Sequence, residues 1–134
     1  PVNHRPRADQ GLTLRFAKPA HTTKAKLVIH AKNTYWLDYA HGLYLDAFGA
    51  QAEPVRQAFL KKSETDVRQW LDEQNLPLSV LLETAPGQWT KSDYFHLAGP
   101  MALKKDVLEL DLSHITGNDV NIRLESGFQF WEID

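Results

Sequence analysis

The stretch VLELDLSHITGNDVNIRLESGFQFWEID, residues 107–134, decides the fold class of this chain. Apolar and polar residues alternate along its first two segments, and a shorter apolar segment closes it. Alternation with a period of two is typical of β-strands that have one buried and one solvated face. The stretch therefore predicts three short antiparallel strands, with Glu109, Asn121 and Arg123 pointing away from the core. The side chains expected to point into one core are Leu108, Leu110, Leu112, Val120, Ile122 and Leu124.

The composition predicts one ordinary globular domain. The chain has 134 residues, 43% hydrophobic and 24% charged, with a formal net charge of -2. This length suffices for a core without covalent staples. The charge gives no support for binding nucleic acid or another polyanion, and no apolar run approaches the roughly 20 residues of a membrane span. The chain contains no cysteine, which excludes disulfides and thiol chemistry.

Residues 1–10 are polar and aperiodic, which predicts a linker or flexible terminus, and residues 11–134 form the predicted domain. Four further strands are predicted, at 12–16, 24–32, 78–84 and 89–96. The lysine-rich outer face of the second predicts a solvated edge strand. About seven strands with regularly spaced turns favour an antiparallel β-sandwich.

Residues 34–75 interrupt this pattern with helical spacing. Pro54 suits the first turn of a helix, and Ser63 with Asp66 resembles a capping box. We expect the apolar stripes of these helices to pack on the sandwich. The prediction is that Trp36, Leu43, Val67 and Trp70 are mostly buried.

Three segments resemble the galactose-binding-like β-sandwich, in its discoidin and carbohydrate-binding-module branches. They are KAKLVIHAK at 24–32, VLLETAPGQW at 80–89 with Trp89 after the central turn, and residues 111–134, which contain DLSHITG and VNIRL. The resemblance implies a mainly β, jelly-roll sandwich. Residues 34–75 depart from it, because such sandwiches usually have loops and strands there, so they form a helical insertion between strands 2 and 3.

The resemblance also implies a non-catalytic binding or accessory module for glycans, tethered to other domains of a larger extracytoplasmic or surface protein. A structural or protein-interaction domain is the first alternative. A small enzyme is the second alternative. Its active site would have to be assembled from dispersed residues, because no serine lies in a Gly-x-Ser-x-Gly setting. No catalytic residue is assigned.

Aromatic side chains are the candidate ligand contacts, because flat rings stack on the apolar faces of sugars. Trp89 and Tyr94 follow the Pro-Gly turn, and Arg123 faces out of the core, where it could pair with a carboxylate or a ligand. A second group lies in the helical segment, where the spacing favours core packing and a glycan surface is the alternative. This group is Tyr35, Tyr39 and Tyr44.

No cofactor is expected from the residue pattern. The six histidines are scattered and form no His-x-x-x-His pair. The resemblance admits a structural calcium ion, for which Glu132 and Asp134 are the candidate carboxylates. They would need backbone carbonyls as further ligands, because calcium takes about 6–8 oxygens.

Overall fold

The computed structural model describes residues 11–74, 76–127 and 130–134. The predicted linker at 1–10 lies outside the described residues. The described chain is mainly β, with two antiparallel sheets and three α-helices. Its elements are β1 Gly11–Ala17, β2 Lys24–Asn33, α1 Tyr35–Asp46, α2 Ala52–Leu60, α3 Glu64–Glu73, β3 Leu78–Ala85, β4 Gln88–Phe95, β5 Lys104–Asp111, β6 Asp119–Glu125 and β7 Trp131–Ile133. A short 3₁₀ turn, Gly49–Gln51, precedes α2.

The strands pair in the orders β1-β6-β3-β4 and β5-β2-β7, and all described pairings are antiparallel. The predicted alternation is confirmed in β6, because Val120, Ile122 and Leu124 are buried in the core. In the sheet order β2 lies between β5 and β7, but β7 pairs with it only at residues 31–33. The prediction of an edge strand is therefore wrong for that end, whereas along residues 24–29 β5 is the one strand described beside β2. A lysine-rich outer face shows that one side of a strand is wet, but it does not show whether the strand has two neighbours.

The inner faces of both sheets contribute to one hydrophobic core. Apolar side chains of β2 and β5 from one sheet join those of β3, β4 and β6 from the other, and burial of this surface from water stabilises the fold. The buried members are Ile29, Ala31, Leu78, Val80, Leu82, Phe95, Leu110, Leu112, Ile115, Val120, Ile122 and Leu124. Leu108, also predicted to face inward, packs partly buried against this cluster.

Local signals in the sequence are reproduced at two connections. Gly87 has φ of 73°, the positive value that the Pro-Gly turn between β3 and β4 requires and that glycine adopts without a steric penalty. Ser63 caps α3, with its Oγ accepting a hydrogen bond from the amide of Asp66 at 3.1 Å.

The predicted burial of the helical stripe is wrong for α1. Trp36 is 66% exposed and Leu43 is 53% exposed, while Val67 and Trp70 on α3 are only half-buried. The half-buried residues of α1 and of the turn after it are Leu37, Ala40, Leu45 and Phe48. Because α1 is apolar around most of its circumference, helical periodicity alone does not identify the face that packs.

Asn33, at the end of β2, is fully buried and holds three segments together. Its Oδ1 accepts hydrogen bonds from the amides of Ala98 at 2.7 Å and Gly99 at 2.9 Å. Its Nδ2 donates to the carbonyl of Phe130 at 3.2 Å, and its own amide donates to the carbonyl of Gly99 at 3.0 Å. The side chain therefore satisfies three main-chain groups of the β4–β5 loop and of the segment before β7.

Asn33→Ala should lower the free energy of unfolding by about 3 kcal/mol, because it leaves these main-chain groups without their partner. Urea denaturation followed by circular dichroism measures the change. Asn118→Ala, at an exposed position, is the matched control and should stay within about 0.5 kcal/mol of wild type. A loss below about 1 kcal/mol for Asn33→Ala would contradict the clamping role.

Candidate functional site

One face of α1 presents a row of aromatic side chains to solvent. Tyr35, Tyr39 and Leu43 lie at successive helical turns, and Trp36 lies beside them. Their exposed fractions are 68%, 58%, 53% and 66%, respectively. These four residues are the aromatic face of α1. Soluble proteins rarely leave a contiguous apolar surface of this kind uncovered unless something binds it.

Two rings of this face are held against each other. Trp36 and Tyr39 meet edge-to-face, with ring centroids 5.6 Å apart and an interplanar angle of 80°. One ring can therefore serve as a platform for a flat ligand while the other forms a side wall. The ionisable groups of α1 besides its tyrosines are Asp38, His41 and Asp46, so the helix carries no lysine or arginine to attract anions.

Tyr44, the third tyrosine predicted on the helical segment, stands apart from this face. It lies half a turn round the helix from Tyr35 and packs edge-to-face on Phe48, with centroids 4.9 Å apart. It is 52% exposed. The structure therefore brings Tyr35 and Tyr39 together but directs Tyr44 to another side of α1.

Trp89 and Tyr94 share the outer face of the four-stranded sheet, the face turned away from the core. A register shift in the pairing of β4 with β3 keeps Trp89, Lys91 and Tyr94 on this one face. Lys91 lies between the two rings, with its Nζ 5.2 Å from the Tyr94 ring centroid, and forms an ion pair with Asp72 of α3. Both rings are half-buried. The contact between Lys91 and Asp72 of α3 therefore covers part of this surface.

Arg123 lies on the same outer face, as its alternation with Ile122 predicts, but it is only 9% exposed. Its Nε donates to Glu125 Oε2 at 3.2 Å and its Nη1 to Thr13 Oγ1 at 3.4 Å. Gly11 packs so closely on it that a Cβ there would stand 2.7 Å from Arg123 Nε. The guanidinium is therefore engaged by the protein rather than presented to a ligand.

The structure separates Arg123 from the two β4 aromatics. β3 lies between β4 and β6, which places β4 and β6 roughly 10 Å apart. Leu81 of β3 occupies the intervening position and is 1% exposed, so this part of the face is covered. The three side chains share a face but do not form one open surface.

Glu83, which the sequence does not single out, orders the end of this face near Trp89. Its carboxylate accepts hydrogen bonds from the amide of Gly87 at 2.8 Å and from the Asn121 side chain at 2.5 Å. These bonds favour the ionised form, and together they hold the pKa of Glu83 below its ordinary value, the Gly87 amide having the larger effect.

Glu83→Gln should lower the free energy of unfolding by about 1 kcal/mol at pH 7. Because the folded pKa is depressed, the carboxylate stabilises the fold above the unfolded pKa of about 4.3, and the effect is lost as the pH falls through the folded pKa. Denaturation curves at neutral and strongly acidic pH should show the gap between variant and wild type closing on acidification. Glu109→Gln, exposed on β5, should show little difference at either pH. A gap that persists or widens in acid would contradict this linkage.

Of the two candidate calcium carboxylates, Glu132 has a lysine partner. Glu132 pairs with Lys32, whose Nζ lies 3.3 Å from Glu132 Oε2. Across residues 11–74, 76–127 and 130–134, no group of three or more histidine, aspartate or glutamate side chains could hold a metal ion. Within the same ranges, no helix has the length and apolar character needed to cross a membrane.

Two of the clefts among the described residues open between the sheets, and the sequence predicts neither of these two. One, of about 280 Å³, lies between β4 and β5 and is lined in part by Phe95, Lys104 and Trp131. The other, of about 290 Å³, lies beside β1 and is mostly apolar, with Phe16 and Leu27 among its lining residues. The first cleft has a sequence signal in the charged run at 104–106, which begins a strand whose later inward positions are leucines.

Comparison of the chain with protein-family models, with curated proteins and with solved structures finds no match. The function is therefore inferred from the side chains that the fold leaves exposed.

Proposed function

We propose that this domain is a non-catalytic glycan-binding module whose binding surface is the aromatic face of α1. The observation that carries the proposal is the row formed by Tyr35, Trp36 and Tyr39, each more than half exposed on one side of a single helix. Of the two aromatic groups that the sequence offers, this one is open, whereas Trp89 and Tyr94 are half-buried beside the Lys91–Asp72 ion pair.

The chemistry of the row suits sugars. The apolar faces of pyranose rings stack on aromatic rings, and the tyrosine hydroxyl and indole N–H can bond to sugar hydroxyls at the margin of the contact. The acidic side chains of α1, Asp38 and Asp46, favour a neutral glycan over a polyanionic one. A surface this shallow buries little area, so a single module should bind weakly.

The fold is compatible with the proposed family. We infer that the two antiparallel sheets, which share one core, form a galactose-binding-like jelly-roll sandwich, and that α1 to α3 are an insertion between its second and third strands. In this proposal Trp89, at the start of β4, contributes to the framework rather than to the ligand site. Such a module would act as part of a larger extracytoplasmic or surface protein.

A protein partner is the second candidate for the same surface. Leu43 continues the row beyond Tyr39, and an aliphatic side chain adds nothing to ring stacking on sugars but adds apolar area to a protein contact. The two candidates make different predictions for binding to isolated polysaccharides.

A glycan array followed by calorimetric titration of the best oligosaccharide tests the proposal. We expect dissociation constants of roughly 0.1–1 mM for the wild type. Tyr39→Ala and Trp36→Ala should each weaken binding about tenfold, because each removes a stacking ring. Both should unfold within about 0.5 kcal/mol of wild type, since the side chains are exposed.

Trp89→Ala is the matched control, because it removes a ring from the other aromatic group. It should leave the affinity for the oligosaccharide unchanged in the folded variant. Loss of binding in Trp89→Ala alone would move the site to the outer face of the four-stranded sheet. Absence of binding to every glycan on the array would favour the protein-interaction function.

A further inference from the structure

The cleft of about 280 Å³ between β4 and β5 combines an apolar floor with a charged mouth. Its floor is Ile29, Ala31 and Phe95, all buried core residues, together with the half-buried Trp131. Its mouth is formed by His96, Lys104, Lys105 and Asp106, all exposed. This volume lies at the small end of ligand-binding cavities and suits a molecule of a few carbon atoms or a single ring.

Two of the mouth residues occupy positions that belong to the core face of β5. Lys104 pairs with Ala31 and Asp106 with Ile29, so both lie on the inner face that Leu108 and Leu110 continue. A charged side chain at such a position is stable only where water or an oppositely charged ligand reaches it. The polar start of β5 therefore keeps this end of the inter-sheet space open.

The mouth carries an excess of positive charge in a chain whose net charge is negative. Within the described part of the chain, neither Lys104 nor Lys105 forms an ion pair. Among the described residues that line the mouth, Asp106 supplies the one carboxylate, and its Oδ1 accepts a hydrogen bond from the amide of Val107 at 2.8 Å. The ammonium of Lys104 on the inner face and that of Lys105 on the opposite side of the strand thus outnumber the one carboxylate of Asp106.

One wall of the cleft is fixed in place. Ala98 lines the cleft, and its amide donates to the buried Asn33 side chain at 2.7 Å. Trp131 donates from Nε1 to the carbonyl of Leu76 at 2.9 Å, which holds its ring against the floor. A site formed before the ligand arrives loses less entropy on binding than one that must be ordered.

We propose that this cleft binds a small monocarboxylate with an apolar body, such as an aryl-substituted or branched short-chain acid. The apolar body rests on Phe95 and Trp131, and the carboxylate pairs with Lys104 at the mouth. Lys105 adds long-range attraction from the neighbouring position. The site is independent of the aromatic face of α1 and of the glycan function proposed for that face.

Titration with 3-phenylpropionate and with its neutral amide, followed by ligand-observed NMR on the whole chain, tests the proposal. The acid should bind at least about tenfold more tightly than the amide, because a charge-assisted hydrogen bond is lost in the amide. Lys104→Gln should weaken binding of the acid by about the same factor. Lys62→Gln, which removes an equal charge at an exposed position after α2, should leave the binding unchanged.

Two further readouts make the outcome decisive. Trp36→Ala must leave binding of the acid intact, since loss in that variant would place the probe on α1 and overturn the proposal. Equal affinity for acid and amide, or no difference between Lys104→Gln and Lys62→Gln, would also overturn it. So would an absence of saturable binding of 3-phenylpropionate, benzoate and isovalerate, which together cover the ring and branched-chain classes.

Discussion

The buried side chain of Asn33 is the interaction on which the arrangement of both candidate surfaces depends. Its bonds to the amides of Ala98 and Gly99 and to the carbonyl of Phe130 fix the end of β2 against two other parts of the chain. The aromatic face of α1 begins two residues later, and the wall of the inter-sheet cleft includes Ala98 itself. An amide supplies both an acceptor and a donor without charge, which suits a fully buried position between main-chain groups.

Side chains whose polar groups bond to other parts of the protein belong to the structural framework, and side chains that face solvent mark the candidate binding surfaces. On the outer face of the four-stranded sheet, Arg123, Glu83 and Lys91 each have protein partners. On α1 and at the mouth of the cleft, aromatic rings and lysines face solvent. Groups that the fold does not use internally are the ones free to contact a ligand, which is why both proposals rest on those two places.

Strand parity, turns and caps could be predicted because each depends on a few neighbouring residues. The alternation around Ile122 predicts which side chains reach the core, and Ser63 identifies the start of α3. The half-buried side of α1 could not be predicted, because apolar residues surround most of the helix and their spacing does not single out one side. Likewise, alternation shows that Arg123 leaves the core but does not show that Gly11 and Glu125 cover it.

The most direct test of glycan binding by α1 follows the four indole N–H signals of a ¹⁵N-labelled chain during titration with the best oligosaccharide. Each tryptophan reports a different place: Trp36 on α1, Trp70 on α3, Trp89 on β4 and Trp131 at the inter-sheet cleft. We expect the Trp36 signal to shift with saturation, while that of Trp131, bonded to the carbonyl of Leu76, stays in place. A saturating shift of Trp89 or Trp131 with Trp36 unchanged would contradict this expectation.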